Sequence, residues 1–181
     1  MNVIGLSGLS NSFSFKQRKL PGLSPREYYI GQGFDAAAVL VGEQGIIAAA
    51  AEERFTREKA TGAFPVNAIR YCLQAGHLKP GDVDWIAHGF SYEPHRAVFE
   101  ADPFTREQYE EAFSPEAQRK LLDKHFADTG WSEKFVPVPH HLAHAASAFY
   151  PSGFDDALQN GFRPSRLDRR DVVEEGTYAG R

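Results

Sequence analysis

A chain of 181 residues is long enough for one ordinary domain with a sizeable core. Apolar residues at 42% and charged ones at 24% are the balance of a globular protein, and a formal charge of -4 without a concentrated basic tract argues against a nucleic-acid partner. The lone cysteine, Cys72, excludes an internal disulfide framework and a cysteine-based zinc site. Apolar runs such as 46–51 are far too short to cross a bilayer, and no basic n-region precedes the first strand, so no membrane partner and a cytoplasmic location are expected.

Residues 2–8 (NVIGLSG) read as a short buried strand closed by glycine. The stretch 9–33 alternates polar residues, glycine and proline and reads as a long loop, the kind of segment that tends to carry function. The runs 35–42 (DAAAVLVG) and 45–52 (GIIAAAAE), separated by Glu43-Gln44, suit a β-hairpin at the centre of a sheet. A helix is expected over 65–74, with Val66, Ile69 and Leu73 on one face and Gly76 ending it. Residues 84–91 (DWIAHGFS) form another strand candidate. Ser114-Pro115-Glu116 is a helix start, with serine as cap, proline at the first position and an acid in the first turn; the helix then buries Leu121, Leu122 and Phe126. A short strand over 134–138 feeds into His140 and a last helix through Phe149, stopped by Pro151. Residues 159–181 hold many charges and few large apolar side chains, too few to offset their ordering entropy, and are expected to be disordered. Strands interleaved with helices place the chain in the α/β class.

Three clusters could carry chemistry. In Pro139-His140-His141-Leu142-Ala143-His144, positions i and i+4 of a helix point the same way, so His140 and His144 could hold one metal ion, with His141 and His144 as a second possible pair. Two imidazoles make half a site, and the bland alternative is a pair of partly exposed histidines at a helix start. Arg54, Arg57 and Lys59, just past the hairpin, could grip phosphate or carboxylate groups; the alternative is a solvated face of alternating charge. Gly31-Gln32-Gly33-Phe34-Asp35 would allow close backbone approach to a ligand, with Asp35 orienting it, although these are also ordinary turn residues. His88 reads as a core or pocket-wall histidine, and Cys72 as a small hydrophobe on the apolar face of its helix.

Taken in order, AAAAEERFTREK (48–59), GAFPVNAIRYCL (62–73) and VPHHLAHAASAFYPSGFDDAL (138–158) resemble the amino-terminal half of NodU/CmcH/TobZ-type carbamoyltransferases, over residues 2–158. The resemblance implies an α/β, actin-like ATPase (ribonuclease H-like) lobe with a mixed central sheet, similar to the tRNA threonylcarbamoyl transferase. It implies that a separate, later YrdC-like domain makes carbamoyl-adenylate from ATP and carbamoyl phosphate. The first domain then moves the carbamoyl group to a hydroxyl or amine of a small-molecule acceptor, often a natural product. It implies iron, or another divalent metal, held by two histidines on one helix and two later aspartates; the histidines match His140 and His144. Lys59 matches the family lysine near the transferring group, with Arg54 and Arg57 as helpers, and Asp35 follows the place of the candidate acceptor base.

Two departures accompany the resemblance. Phe34 stands where many members carry a histidine before the aspartate, and after 154–158 the family continues into an apolar strand ending in Asp-Gly, whereas this chain runs into Gln159-Asn160-Gly161. An incomplete domain is therefore expected: 1–158 as a partial carbamoyltransferase lobe, 159–181 as a divergent tail, with the other ligands, the second lobe and the YrdC-like domain missing. A carbamoyltransferase fragment is the leading reading. The others are a non-catalytic binding or interaction module that pairs with a partner chain, and an unrelated metal hydrolase built on the histidine pair. A half-domain lacking one central strand is also expected to expose a sheet edge open to self-association. The 9–33 segment is the expected contributor to acceptor choice.

Overall fold

A computed structural model of the chain describes residues 1–29, 35–153, 156–159 and 165–168, with Tyr29 and the last two stretches as backbone. The chain divides into two units, Met1–Val138 and Pro139–Arg181, and each is taken by itself.

The first unit is organised by β1 (Val3–Ser7), whose alternation buries Ile4 and Leu6 on one face. On one side of β1, β2 (Ala37–Gly42) pairs antiparallel and β3 (Gly45–Ala51) pairs antiparallel to β2; on the other side, β4 (Trp85–His88) and β5 (Phe135–Pro137) run parallel to it. The result is a five-stranded mixed sheet of order β3-β2-β1-β4-β5. The expected mixed α/β sheet is present. The hairpin forms as expected, with Gly45 at φ 117 closing its two-residue turn. It lies at one end of the sheet rather than at the centre. β1 takes the central place because it alone offers an antiparallel edge to β2 and a parallel edge to β4.

Helices α1 (Ser10–Lys19) and α2 (Pro25–Tyr29) occupy the segment read as a loop, α3 (Glu53–Thr56) follows β3, and α4 (Val66–Ala75) precedes β4. Four more follow: α5 (Arg96–Phe99), α6 (Pro103–Gln108), a π-turn over Tyr109–Phe113, and α7 (Pro115–His125). The main core lies on the face of Ile4, Leu6, Leu40 and Ile86. There α4 contributes Ala68, Ile69, Cys72 and Leu73, and α7 contributes Leu121 and Leu122, with Trp131 sealed beneath them. Each large side chain so buried stabilises by roughly 1.5–3 kcal/mol. The Cys72 thiol faces the Ala38 and Ala48 carbonyls at 3.6 Å, and burial pushes its pKa up, as befits an inert core residue. Trp131 donates its indole N–H to the Pro80 carbonyl at 2.9 Å.

A second, aromatic cluster joins Leu9, Tyr92, Tyr109, Ala112 and Phe113, with Tyr92 stacked on Phe113 at 4.4 Å. Helix α1 is held beside it from outside: Asn11 donates to the Ala117 carbonyl at 3.3 Å, Phe15 meets the Phe104 ring edge-on at 5.5 Å, and Arg18 pairs with Glu111. These tertiary contacts correct the loop expectation for 9–29. They make a helix of a segment whose own apolar content is low. Residues 30–34, including the Gly31–Phe34 part of the ligand-approach motif, lie outside the described residues.

In the second unit, α8 runs His140–Ser152 and includes Pro151 in its last turn. It passes the expected stop and ends at Gly153, whose left-handed φ of 80 turns the chain. Pro151 has no backbone N–H to donate within the last turn of α8. β6 (Asp156–Gln159) and β7 (Ser165–Asp168) pair antiparallel, with Ala157 opposite Leu167. The rest of the tail lies outside the described residues. No helix among those described is long and apolar enough to cross a membrane.

Candidate functional site

The register brings the chemistry-bearing segments of the first unit to one end of its sheet. Ser7 stands opposite Ala37, Ala37 opposite Ala51, and Leu6 beside His88, so the carboxyl ends of β1, β3 and β4 meet the amino end of β2. Ligands of open α/β sheets sit outside the carboxyl ends of the parallel strands. Asp35 lies at this end, where the Ser7 hydroxyl donates to its carbonyl at 3.1 Å, and the Ala36 N–H donates to the Thr61 carbonyl at 2.8 Å. The loop that carries Lys59 is thereby tied to the start of β2.

This loop is built tightly. Arg57 ends α3 with φ 63, Ala60 has φ 55 and Asp35 has φ 57, so three non-glycine residues adopt the left-handed conformation here. Such backbone strain gathers at functional sites and persists only where surrounding contacts over-determine it. The contacts are visible: Ala63 N–H donates to Thr61 Oγ1 at 3.2 Å, and Phe64 N–H to Ser10 Oγ at 2.7 Å. Gly8, at φ 124, comes so close that a Cβ there would stand 2.3 Å from the Ala63 carbonyl oxygen. Only glycine fits.

Of the expected site residues, Arg54 points largely to solvent and pairs with Glu53 at 3.6 Å, while Arg57 and Lys59 are exposed on the turn after α3. Glu52, passed over as part of a charge run, is 2% exposed. It ends the apolar run 45–52, a position that by itself does not say which way the carboxylate turns. His88 closes β4, where it had been expected mid-strand, and is buried; its Nδ1 donates to the Phe90 carbonyl at 3.0 Å, and its Nε2 has no partner among the described residues. Burial pushes its pKa down, against the opposing pull of the Phe90 carbonyl.

In the second unit, the first turns of α8 place the Nε2 atoms of His140 and His144 3.0 Å apart, with ring planes at 77°. Two metal–nitrogen bonds of about 2.1 Å meeting at about 90° span about the same distance, so the pair fits adjacent positions around one metal ion. The same separation also suits an N–H···N hydrogen bond. Among the described residues no group of three His, Cys, Asp or Glu side chains is placed to hold a metal, so the pair amounts to half a coordination shell.

The family described as the carbamoyltransferase N-terminus matches residues 26–162. The chain is 38% identical over 141 residues to the uncharacterized protein sll1178 of Synechocystis sp., covering 68% of this chain and 22% of that protein. It is 34% identical over 125 residues to the nodulation protein NolNO of Sinorhizobium fredii, covering 68% of this chain and 18% of the relative. An uncharacterized 19.2 kDa protein of Rhizobium etli, encoded in the syrM 5' region, is 31% identical over 106 residues, covering 59% and 58% of the two chains. The chain thus spans about a fifth of the length of the first two relatives. By the sequence match over residues 26–162, the chain belongs to the carbamoyltransferase N-terminus family.

Proposed function

We propose that the chain serves carbamoyl transfer, moving the carbamoyl group of carbamoyl-adenylate to a hydroxyl or amine of a small-molecule, natural-product acceptor. Membership of the family is the observation that carries this reading. The acceptor heteroatom attacks the carbamoyl carbon, the bond to the adenylate phosphate breaks, AMP leaves, and the acceptor proton passes to a base. Lys59, with Arg54 and Arg57, offsets the negative charge of the phosphate and of the developing tetrahedral centre, and Asp35 orients the acceptor at the start of β2. Their common end of the mixed sheet supports these roles; the lobe itself we take to be actin-like. ATP and carbamoyl phosphate enter earlier, where a separate domain of full-length relatives makes the adenylate. The setting is cytoplasmic, in keeping with a lone buried thiol.

His140 and His144 would hold an iron ion or another divalent metal, with the remaining ligands supplied from outside the described residues. The bound metal supplies a Lewis acid that polarises a carbonyl or phosphoryl oxygen.

Calorimetric titration of the full chain with AMP tests the reading. Binding should weaken about tenfold or more in Lys59→Ala, the scale of one lost charge-assisted contact. AMP that fails to bind, or binds equally well to the variant, overturns it.

One observation favours a second reading, an interaction module. β3 is an outer strand with Ile46 and Ile47 63% and 47% exposed and no charge along its length. An outer apolar strand of this kind, uncovered among the described residues, pairs with other strands, here with a second copy of the chain.

A further inference from the structure

Glu52 is a buried carboxylate that the roles above leave unused. Its Oε1 accepts from the backbone N–H and the side-chain amide of Asn67, at 3.2 and 2.6 Å, and its Oε2 accepts from the Ala68 N–H at 2.8 Å. Asn67 and Ala68 lie in the first turn of α4, whose own cap position, Pro65, offers no side-chain acceptor. Glu52 therefore supplies the missing cap from a distance, where a carboxylate also meets the positive end of the helix dipole. Its main chain does the reverse job at the other end of the loop. The Glu52 carbonyl accepts from Phe55 and Thr56 N–H at 3.0 and 3.1 Å, which starts α3, and its N–H donates to the Ala36 carbonyl at 2.8 Å.

One residue thus ties the end of β3, the start of β2, the start of α3 and the start of α4. The segment between these anchors carries Arg54, Arg57 and Lys59, and two of its residues hold left-handed backbone that needs external support. Smaller ties inside the loop, Ala60 N–H to Glu53 Oε2 at 3.4 Å and Glu58 N–H to Thr56 Oγ1 at 3.3 Å, are longer and exposed or half-buried. The Glu52 carboxylate is itself buried, and its bond from the Ala68 N–H is buried too.

We propose that Glu52 is a positioning residue: its carboxylate clamp on Asn67 and Ala68 holds the 53–65 loop in the conformation that presents Lys59 and its neighbouring arginines to the adenylate phosphate. This inference rests on the proposed adenylate site. Glutamine at 52 keeps one acceptor oxygen and loses the other, so Glu52→Gln retains part of the clamp and Glu52→Ala none.

Two measurements on the full chain separate the inference from the reading beneath it. Amide hydrogen exchange over 53–65 should accelerate about tenfold in Glu52→Ala and less in Glu52→Gln, with α7 amides unchanged. AMP affinity should fall in the same order, at a temperature where circular dichroism shows every variant folded. Wild-type protein that ignores AMP defeats the adenylate reading, while the exchange data still decide whether Glu52 orders the loop. If Lys59→Ala loses AMP while both Glu52 variants keep it, the positioning role is overturned and Glu52 is a helix cap only. Exchange that is unchanged in the loop, or that rises equally in α7, overturns it too. Should Glu52→Ala fail to fold, Glu52→Gln carries the comparison.

Discussion

The Nε2 atoms of His140 and His144 face each other at 3.0 Å across one turn of α8. As a metal site the pair is half complete, so we expect the full chain to bind zinc or ferrous ions only weakly, and His144→Ala to reduce that binding about tenfold or more. Isothermal titration with each ion decides the point. Micromolar or tighter binding lost in His144→Ala would mean that the site is more complete than the described residues make it. Binding indifferent to the substitution would remove the pair from the site.

Burial holds the His88 imidazole below its ordinary value of 6.5, so the folded ring stays neutral where the unfolded one takes up a proton. Its contribution to stability is full above that value and is lost as pH falls from it toward the lower folded value. His125 is shifted in the same direction, by burial first and then by Lys124 and Arg70, and adds to the slope. Urea unfolding should show lower stability at about pH 5.5 than at about pH 7.5, and a smaller difference in His88→Leu. An equal difference in the variant would assign the slope to other groups.

Ser114 Oγ accepts from the Ala117 N–H at 3.1 Å and caps α7. Ser114→Ala should destabilise the chain by about 1 kcal/mol, and Ser114→Gly by only a few tenths. On thermal unfolding the alanine variant should melt about 2–4 °C lower, and identical melting of both variants would mean that the cap contributes nothing.

The outer place of β3 in the five-stranded sheet leads to a prediction about assembly. Light scattering on an eluting column should report a mass that rises with concentration, and Ile47→Lys, which sets a charge on that strand, should return it to the monomer. A monomer at every concentration would remove the interaction-module reading.

Where burial follows a simple period, the elements were legible. Short apolar runs bounded by glycine marked β1 and the β2–β3 hairpin, and Val66, Ile69 and Leu73 marked α4 through its own apolar face. The Ser-Pro start of α7 was legible because capping is local chemistry. Asp102-Pro103 carries a similar signal, with Asp102 accepting from Phe104 and Thr105 N–H, although α6 was not among the expected elements. By contrast α1, SNSFSFKQRK, buries only Ser12 and Phe15. Its neighbours hold it, and neighbours are not written in its period.

The candidate site divides along the same line. Local spacing alone placed His140 and His144 on one helix face, since rotation per residue is a property of the helix itself. Whether Lys59 comes to the same sheet end as Asp35, and which acid of the Glu52–Glu53 pair turns inward to hold its loop, depends on strand order and on hydrogen bonds between residues distant in the chain. Those are decided by the tertiary fold, because a buried carboxylate is stable only where several donors converge on it.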